Sequence, residues 1–340
     1  MPRSGRRQGQ DSVVKITDVA AAAGVAPMTV SRVLNTPDRV TPATAARVRE
    51  AIDTLGYVPN LIAGGLSSRR SRMIAAIVPT IESPMFSAPV GAFTDTMNQA
   101  GYHVLLGLSG YGADALEQGL LRAVLTRRPD GLLLTGAHHA PSVSRLLHNA
   151  RVPVVEIWDA APTPTDMLVG FDHTEVGAAV AEFFLARGHR RFATIGATDP
   201  RALLRRDGFI AAVQRQGGTL VGDVGLPPPA GATDGREALR QLLPQLADER
   251  AALMCGSDLT ALGALTEALK QGIAVPDRLA ICGFGDFETS RCSEPALTSV
   301  SVDGAAMGRI AAERLLARLA GETAETRTLL PFHILPRGTT

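Results

Sequence analysis

The stretch GVAPMTVSRVLNTPDRV, residues 24–40, joins a glycine turn to a short segment with one apolar side and one polar side. Pro27 suits the first position of a helix. Apolar residues at helical spacing predict a buried stripe made of Val30, Val33 and Leu34. The opposite side carries Thr29, Ser31 and Arg32. By itself the stretch predicts a small amphipathic helix. This is either an ordinary surface helix or an element that recognises a binding partner.

Two further helices are predicted on either side of this stretch. Before it, residues 16–23 repeat apolar side chains at i, i+3, i+4 and i+7, and Gly24 follows as a stop signal. After it, Thr41-Pro42 opens a segment that ends at Gly56 and turns five apolar residues inward: Ala45, Val48, Ala51, Ile52 and Leu55. Because only residues 24–26 separate the first two helices, the arrangement is typical of a helix-turn-helix unit.

The N-terminal region is basic, although the whole chain carries a net charge of only +1. Residues 1–72 hold eleven basic side chains against five acidic ones, a net of +6, whereas the remainder holds 23 against 28, a net of −5. A basic first fifth on a mildly acidic body indicates an anionic partner for the N-terminal region alone.

From residue 73 onward the sequence alternates between predicted strands and helices. Short apolar runs rich in β-branched residues recur at 73–79, 103–109, 131–136, 152–158, 167–172, 191–197, 252–257, 279–284 and 297–302. Helical patterns such as 174–189 and 257–272 fill most of the gaps between them. Such alternation predicts doubly wound parallel sheets, and nine or more strands over this length fit two α/β layers better than one.

The segment YVPNLIAGGLSSRRS, residues 57–71, lies between the two regions. Pro59 breaks the preceding helix, and Gly64-Gly65 make a helix here marginal by itself, since each glycine costs about 1 kcal/mol against alanine. We expect either a hinge that folds when it binds or a flexible linker.

The composition excludes several classes of protein. With 45% hydrophobic and 20% charged residues over 340 positions, the chain is predicted to be soluble and to form two or three domains. The N-terminus has no apolar segment typical of a secretory signal, and no apolar run approaches the roughly 20 residues of a membrane span, so we expect a cytoplasmic protein. Three cysteines without CxxC spacing and seven histidines without HExxH predict neither a disulfide framework nor a metal site.

No catalytic or cofactor motif stands out. The sequence has no nucleophile elbow and no P-loop, and GFGDFE (283–288) lacks the third glycine of a dinucleotide-binding loop. We therefore predict no enzyme and no cofactor. A cytosolic sugar-binding or sugar-processing protein is the alternative, but it leaves residues 13–70 unexplained.

The block ITDVAAAAGVAPMTVSRVLN, the later YVPN and the alternating body together resemble the lactose-repressor family of bacterial transcription regulators. The likeness covers the chain from about Val14 to its end. Within the family the body most resembles the gluconate-operon repressors, through VPVVEIWD (152–159), VGFDHTEVGAAVAEFFLARGHRR (169–191) and GFGDFE (283–288). The resemblance implies an all-α helix-turn-helix head with a hinge helix, and an α/β two-lobed core like that of periplasmic sugar-binding proteins.

The resemblance divides the chain into four expected segments. These are a disordered basic tail (1–12), a helix-turn-helix DNA-binding domain (13–60), a hinge helix (61–71) and a core for effector binding and dimerisation (72–340). Lobe one of the core is expected over 72–168 and 299–325, and lobe two over 169–298 and 326–340.

The DNA-binding residues follow from the same resemblance. One face of the second helix is expected to meet DNA: Pro27, Met28, Thr29, Ser31, Arg32 and Asn35. Arg32 can donate two hydrogen bonds to guanine, whereas Thr29 and Asn35 suit phosphate oxygens. The resemblance adds Thr17, Tyr57, Asn60, Ala63 and Leu66. Leu66 matches the family's wedge into the minor groove, although an ordinary packing leucine is the alternative.

The effector residues are expected where strands of the two lobes end, because ligands of α/β sheets bind at the carboxyl ends of strands. The candidates at these ends are Ser83, Met85, Phe86, Trp158, Asp172, His173, Ser257, Asp258, Phe284 and Asp286. For Phe86 and Trp158 a pure core role is the alternative, and His173 is expected to hydrogen-bond rather than to act as a base.

Arg205 aligns with the family's effector-clamping arginine, and its planar guanidinium suits a carboxylate or phosphate. A surface arginine paired with Asp207 is the alternative. Sugar-binding relatives often place an aspartate where this chain has Gly285. Losing that carboxylate removes repulsion against an anion, so we expect a sugar acid, gluconate or a keto or phospho derivative. The expected regulator is a homodimeric repressor on a pseudo-palindromic operator, and its effector either releases it from DNA or promotes its binding.

Overall fold

The computed structural model describes residues 14–58, 71–111, 114–247 and 249–340. It separates into two units, with the boundary between Ser71 and Arg72. The expected tail (1–12) lies outside the described residues, and so does the expected hinge helix (61–71) apart from Ser71.

The N-terminal unit is the predicted three-helix head. Its helices are α1 (Ile16–Ala23), α2 (Pro27–Asn35) and α3 (Pro42–Leu55), with a 3-10 turn at Pro37–Arg39. Gly24 and Gly56 end α1 and α3 in the left-handed conformation, at φ 63° and 61°, which glycine adopts without steric cost. A small core joins the helices: Val19, Ala20, Ala23, Val30, Val33, Ala45, Val48 and Ala51.

Leu34 does not belong to this core, contrary to the predicted inner stripe. Its side chain is 37% exposed, whereas Val30 and Val33 are buried. Three short helices bury only a narrow stripe of α2, and Leu34 lies just beyond the edge of that stripe.

The C-terminal unit contains twelve strands among its described residues. They are β1 (Met73–Val78), β2 (His103–Leu108), β3 (Gly131–Thr135), β4 (Val154–Ile157), β5 (Met167–Gly170), β6 (Arg191–Ala197), β7 (Thr219–Leu226), β8 (Ala251–Cys255), β9 (Leu279–Phe284), β10 (Thr298–Val302), β11 (Arg327–Leu329) and β12 (Phe332–Leu335).

The helices of this unit cover the sheets. They are α4 (Ser87–Gln99), α5 (Asp114–Leu125), α6 (Pro141–Ala150), α7 (His173–Ala186), α8 (Pro200–Arg215), α9 (Ala232–Leu246), α10 (Asp258–Lys270), α11 (Glu288–Arg291) and α12 (Gly304–Ala320). A 3-10 turn, Pro84–Phe86, precedes α4.

The strands form two six-stranded sheets, in the orders β11-β5-β4-β3-β1-β2 and β12-β10-β9-β8-β6-β7. All neighbours pair in parallel except β10 and β12, which are antiparallel. Strands β8 and β9 are buried along their whole length, as expected where helices cover both faces of a parallel sheet. The predicted two-lobed, doubly wound architecture is confirmed.

All three expected lobe boundaries need correction. Strand β5 lies wholly in the first sheet, although the expected boundary after residue 168 divides it. Strand β10 pairs with β9 in the second sheet, and β11 pairs with β5 in the first. The chain therefore crosses between the lobes near residues 171–172, 303 and 330–331. Helix α12 lies between the crossings at 303 and 330–331 and packs on the first lobe. There, a Cβ at Gly308 would lie 2.0 Å from the carbonyl oxygen of Pro89.

Among the residues that the structure describes, no helix combines the length and the apolar character needed to cross a membrane.

Candidate functional site

The head presents one face of α2 to solvent. Met28 is 64% exposed, Pro27, Arg32 and Asn35 are exposed, and Thr29 and Ser31 are half-buried. The side-chain amide of Asn35 donates to the carbonyl oxygen of Ser31 at 2.9 Å, which holds it against its own helix. The face thus offers a guanidinium, hydroxyls and an apolar methionine, a set that can contact both base edges and phosphates.

The other predicted DNA-binding residues differ in their exposure to solvent. Thr17 is exposed at the start of α1, while Tyr57 is half-buried and packs on the core of the head. Ala26 precedes α2 and gives it no side-chain cap, as the sequence indicates. Three predicted positions lie outside the described residues: Asn60, Ala63 and Leu66.

In the C-terminal unit, a cavity of about 190 Å³ opens between the strand ends of the two lobes. The structure brings seven of the predicted effector residues to its wall: Ser83, Met85, Phe86, Trp158, His173, Arg205 and Ser257. They come from the ends of β1, β4, β5 and β8 and from α8, so both lobes contribute to one site.

Arg205 is buried in the wall of this cavity, at 5% exposure. Its Nη1 lies 2.9 Å from Nδ1 of His173, its Nη2 donates to the carbonyl oxygen of Gly256 at 3.0 Å, and its guanidinium carbon lies 4.2 Å from the ring centre of Phe284. Burial lowers its pKa to about 10, which leaves it protonated at neutral pH. The alternative of a surface arginine paired with Asp207 is wrong, because Arg206 makes that ion pair.

His173 is a hydrogen-bonding residue. Because Arg205 can only donate, Nδ1 of His173 accepts, and its Nε2 then donates to the carbonyl oxygen of Trp158 at 3.0 Å. Burial and the charge of Arg205 hold the pKa of His173 well below its ordinary value, so the ring is neutral. His173 thereby links Arg205 in lobe two to the end of β4 in lobe one.

The two helices that carry this pair pack at very short range. A Cβ at Gly177 of α7 would lie 1.9 Å from the carbonyl oxygen of Arg205, and a Cβ at Gly208 of α8 would lie 2.2 Å from that of Thr174. Only glycine permits this approach, which brings the ring of His173 within reach of Arg205.

Two buried N–H groups on the cavity wall lack a hydrogen-bond partner among the described residues: Nε1 of Trp158 and Nε of Arg205. Trp158 is 4% exposed and meets Phe86 and Phe171 edge-on, at centroid distances of 6.2 and 5.2 Å. It therefore belongs to the core and to the cavity wall at once. Buried donors without partners are rare in proteins, so an acceptor-rich ligand fits this wall.

Sequence reasoning missed four polar residues of the cavity: Glu82, Tyr111, Asp199 and Arg201. Asp199 caps α8 by accepting from the backbone N–H groups of Arg201 and Ala202. The guanidinium carbon of Arg201 lies 5.9 Å from the ring centre of Phe86. The four residues follow the ends of β1, β2 and β6, and the same rule applied to every polar residue at these strand ends would have found them.

Asp258, predicted to bind effector, does not line the cavity. Its carboxylate is buried and accepts from the backbone N–H of Phe287 at 2.8 Å and from the hydroxyls of Ser290 and Ser299 at 2.7 and 2.6 Å. It holds the loop after β9 in place, and burial raises its pKa.

Three more predicted effector residues stand outside the cavity wall. Asp286 is tied by ion pairs to Arg291 and Arg337. Asp172 caps α7 by accepting from two backbone N–H groups. Phe284 is buried, and its ring packs against the guanidinium of Arg205.

The comparisons with known proteins agree with both parts of the fold. Residues 15–60 match the family described as bacterial regulatory proteins, lacI family, and residues 181–340 match a periplasmic binding protein-like domain. The chain is 37% identical to the HTH-type transcriptional regulator GntR of Pseudomonas aeruginosa, over 96% of this chain and 95% of that protein.

Two solved structures show the same architecture. A LacI-family transcriptional regulator from Silicibacter pomeroyi, 31% identical, superposes with a TM-score of 0.90 over 96% of this chain and 99% of that one. The lac repressor dimer bound to operator and the anti-inducer ONPF, 24% identical, superposes with a TM-score of 0.82 over 96% and 99% of the two chains.

Proposed function

The chain belongs to the lacI family of bacterial transcription regulators, and from this premise we propose that it is a homodimeric repressor released from its operator by a sugar acid. Its relatives are transcription regulators rather than enzymes. Operator DNA as the partner implies that it works in the cytoplasm.

The exposed face of α2 supports the DNA-reading role. A helix of this length fits the major groove, and Met28 and Arg32 project from the face that the three-helix core leaves open. The net charge of +6 over residues 1–72 favours a polyanion. The lac repressor structure, which shares the fold, was solved on operator DNA.

Replacing Arg32 with alanine is expected to weaken binding to the preferred operator about 10- to 100-fold, because a bidentate contact with guanine contributes about 1–3 kcal/mol. The preferred duplex is found by selection from random sequences, and gel-shift titrations then compare it with a random duplex. Arg39→Ala removes an exposed charge outside α2 and should weaken both duplexes equally. An equal loss on both duplexes for Arg32→Ala would contradict a base contact.

The first lobe supports homodimerisation. Edge strand β2 and the neighbouring helix α5 leave four leucines 49–62% exposed: Leu105, Leu106, Leu108 and Leu116. Exposed leucines on both faces of an edge strand are unusual for a monomer, and we propose that a second copy of this chain covers them. Light scattering of the full chain tests this, since a monomeric mass at micromolar concentration would contradict it.

The buried N–H groups of Trp158 and Arg205 without partners are the observation that carries the effector proposal. Arg201 also lines the cavity, where Asp199 pairs with it at 3.8 Å, so Trp158 and Arg205 supply the donors of this wall that have no partner among the described residues. A carboxylate or phosphate supplies several acceptors in one group, and its hydrogen bonds to arginine are charge-assisted. A sugar acid fits this wall better than a neutral sugar.

Titration calorimetry with gluconate and with glucose tests the proposal. We expect heat of binding from gluconate alone, and we expect saturating gluconate to weaken operator binding about 5- to 150-fold, the usual size of allosteric coupling. Binding of glucose without binding of gluconate would overturn the sugar-acid assignment, and unchanged operator affinity would overturn the coupling.

The contacts of His173 indicate how such coupling can arise. An anion bound to Arg205 contacts a side chain that is hydrogen-bonded to His173. His173 in turn donates to the carbonyl oxygen of Trp158 in the other lobe. Closure of the cleft around the ligand then changes the relative position of the two lobes.

A further inference from the structure

A second compartment adjoins the cavity that contains Arg205. It has a volume of about 390 Å³ and shares four wall residues with that cavity: Tyr111, Asp199, Arg201 and Pro228. Its remaining polar wall comes mainly from lobe one, from the ends of β3 and β4 and from α5, with Thr198 contributed by lobe two. The two spaces are therefore adjacent, with the side chain of Arg201 between them.

Size argues that one ligand uses both spaces. The cavity beside Arg205 is about 190 Å³, whereas ligand pockets commonly measure roughly 300–1,000 Å³. Arg201 reaches from Phe86 in the first space toward the second, where a Cβ at Gly136 would lie 3.1 Å from its Nη1. A ligand held at Arg205 and longer than a few atoms would pass along Arg201.

Asp159 supplies a fixed acceptor in the second compartment. Its buried carboxylate accepts from the backbone N–H of Ala137 and Ala160 at 3.1 and 2.8 Å, and it lies 2.9 Å from Nδ1 of His138. Burial alone would raise its pKa, but these hydrogen bonds outweigh burial and lower it. The group is therefore an ionised acceptor in a fixed position.

His139 is held between two glutamates. Its Nδ1 lies 2.9 Å from Oε1 of Glu117, and its Nε2 lies 3.3 Å from Oε1 of the fully buried Glu156. Burial opposes the charged ring, yet the hydrogen bond to Glu117 and the nearby carboxylate of Glu156 raise the pKa of His139 to about 9. Glu117 therefore faces the compartment beside a protonated imidazole, and its negative charge is offset.

Each acid on the wall lies beside a basic side chain, so donors and acceptors alternate along the wall. The pairs are Glu117 with His139, Asp159 with His138, and Asp199 with Arg201 at 3.8 Å. Such a wall suits hydroxyl groups, which both donate and accept.

Thr135 adds a polar group that points to a ligand. It lines the compartment, and its buried Oγ1 has no hydrogen-bond partner among the described residues. A buried hydroxyl left without a partner is costly, and a ligand hydroxyl or a ligand-bound water would satisfy it.

We propose that the second compartment binds the hydroxyl-bearing chain of the effector, whose acid group lies at Arg205. The assignment rests on the proposed function and deepens it, because it restricts the effector to extended polyhydroxy acids. Acids of three or four carbons fill only the space at Arg205. Acids of five or six carbons reach the acid–base pairs and Thr135.

Calorimetry on the full chain with glycerate, threonate, ribonate and gluconate tests the assignment, together with the variants Thr135→Val and Thr135→Ser. We expect affinity to rise with chain length in the wild type. Thr135→Val, which keeps the shape and removes the hydroxyl, should weaken gluconate binding about 5- to 10-fold without changing the affinity for glycerate or threonate. Thr135→Ser restores a hydroxyl and should bind gluconate like the wild type.

The outcomes separate the two proposals. One outcome is that the wild type binds gluconate, but with an affinity that does not depend on chain length and that Thr135→Val leaves unchanged. That result would contradict a role for the second compartment and would leave the sugar-acid function standing. If no acid binds the wild type, the sugar-acid function falls, and this inference falls with it.

Discussion

Arg205→Ala is expected to lower the affinity for gluconate at least about 100-fold and to leave the repressor bound to its operator at effector concentrations that release the wild type. Hydrogen bonds to charged groups contribute about 1.5–3 kcal/mol each, and a carboxylate at Arg205 can accept more than one. The substitution also removes the partner of Nδ1 of His173 and so breaks the connection to Trp158. Calorimetry measures the first effect, and gel shifts with added gluconate measure the second.

Arg206→Ala is the matched control. Arg206 is the next residue of α8, but its guanidinium pairs with Asp207 and Asp223 rather than with the cavity wall. Its replacement should leave both gluconate affinity and operator release near wild type. Thermal unfolding without ligand checks that the core of Arg205→Ala is intact. Normal release of a folded Arg205→Ala variant by gluconate would show that Arg205 does not contact the effector.

Gly177→Ala is expected to destabilise the core by about 3 kcal/mol and to weaken gluconate binding as well. The added methyl would lie 1.9 Å from the carbonyl oxygen of Arg205, so α7 and α8 must separate. Overpacking of a well-packed core typically costs about 1–3 kcal/mol, and here the obstacle is backbone. Separation of the helices moves Arg205 away from His173, which disturbs the effector site. Urea denaturation measures the loss of stability, and calorimetry measures the loss of affinity.

Gly119→Ala provides the control for a glycine in a helix. Gly119 is exposed on α5, and a Cβ there would meet no atom within 4 Å. Alanine should therefore stabilise the helix by about 0.5–1 kcal/mol through its better helix propensity. A Gly177→Ala variant that unfolds at the same urea concentration as the wild type would contradict the close packing of α7 on α8.

The head could be predicted from sequence almost completely. Helical spacing of apolar residues, a proline at the start of α2, and glycines after α1 and α3 are local signals, and the helices begin and end where these signals place them. Leu34 is the exception, because its burial depends on how much of α2 the other two helices cover.

The strands of the core were predicted less evenly. Nine apolar runs stood out, including the leucine-rich edge strand β2, whereas β7, β11 and β12 did not. These three strands lie at the edges of their sheets. An edge strand is covered less than a central one, so its side chains are mixed and its sequence carries a weaker apolar signal, as in TLVGDVGL of β7.

The sequence alone determined that the chain has a three-helix head of the helix-turn-helix type and α/β layers with polar residues at the ends of their strands. These conclusions rest on spacing along the chain and on the rule that parallel strands end at one edge of a sheet. Only the tertiary structure decided which of the predicted polar residues line the cavity. Asp258 and Asp286 follow strand ends just as His173 does, but serines and arginines distant in sequence engage their carboxylates. Partners of that kind are brought together by the folded chain, and no local pattern in the sequence encodes them.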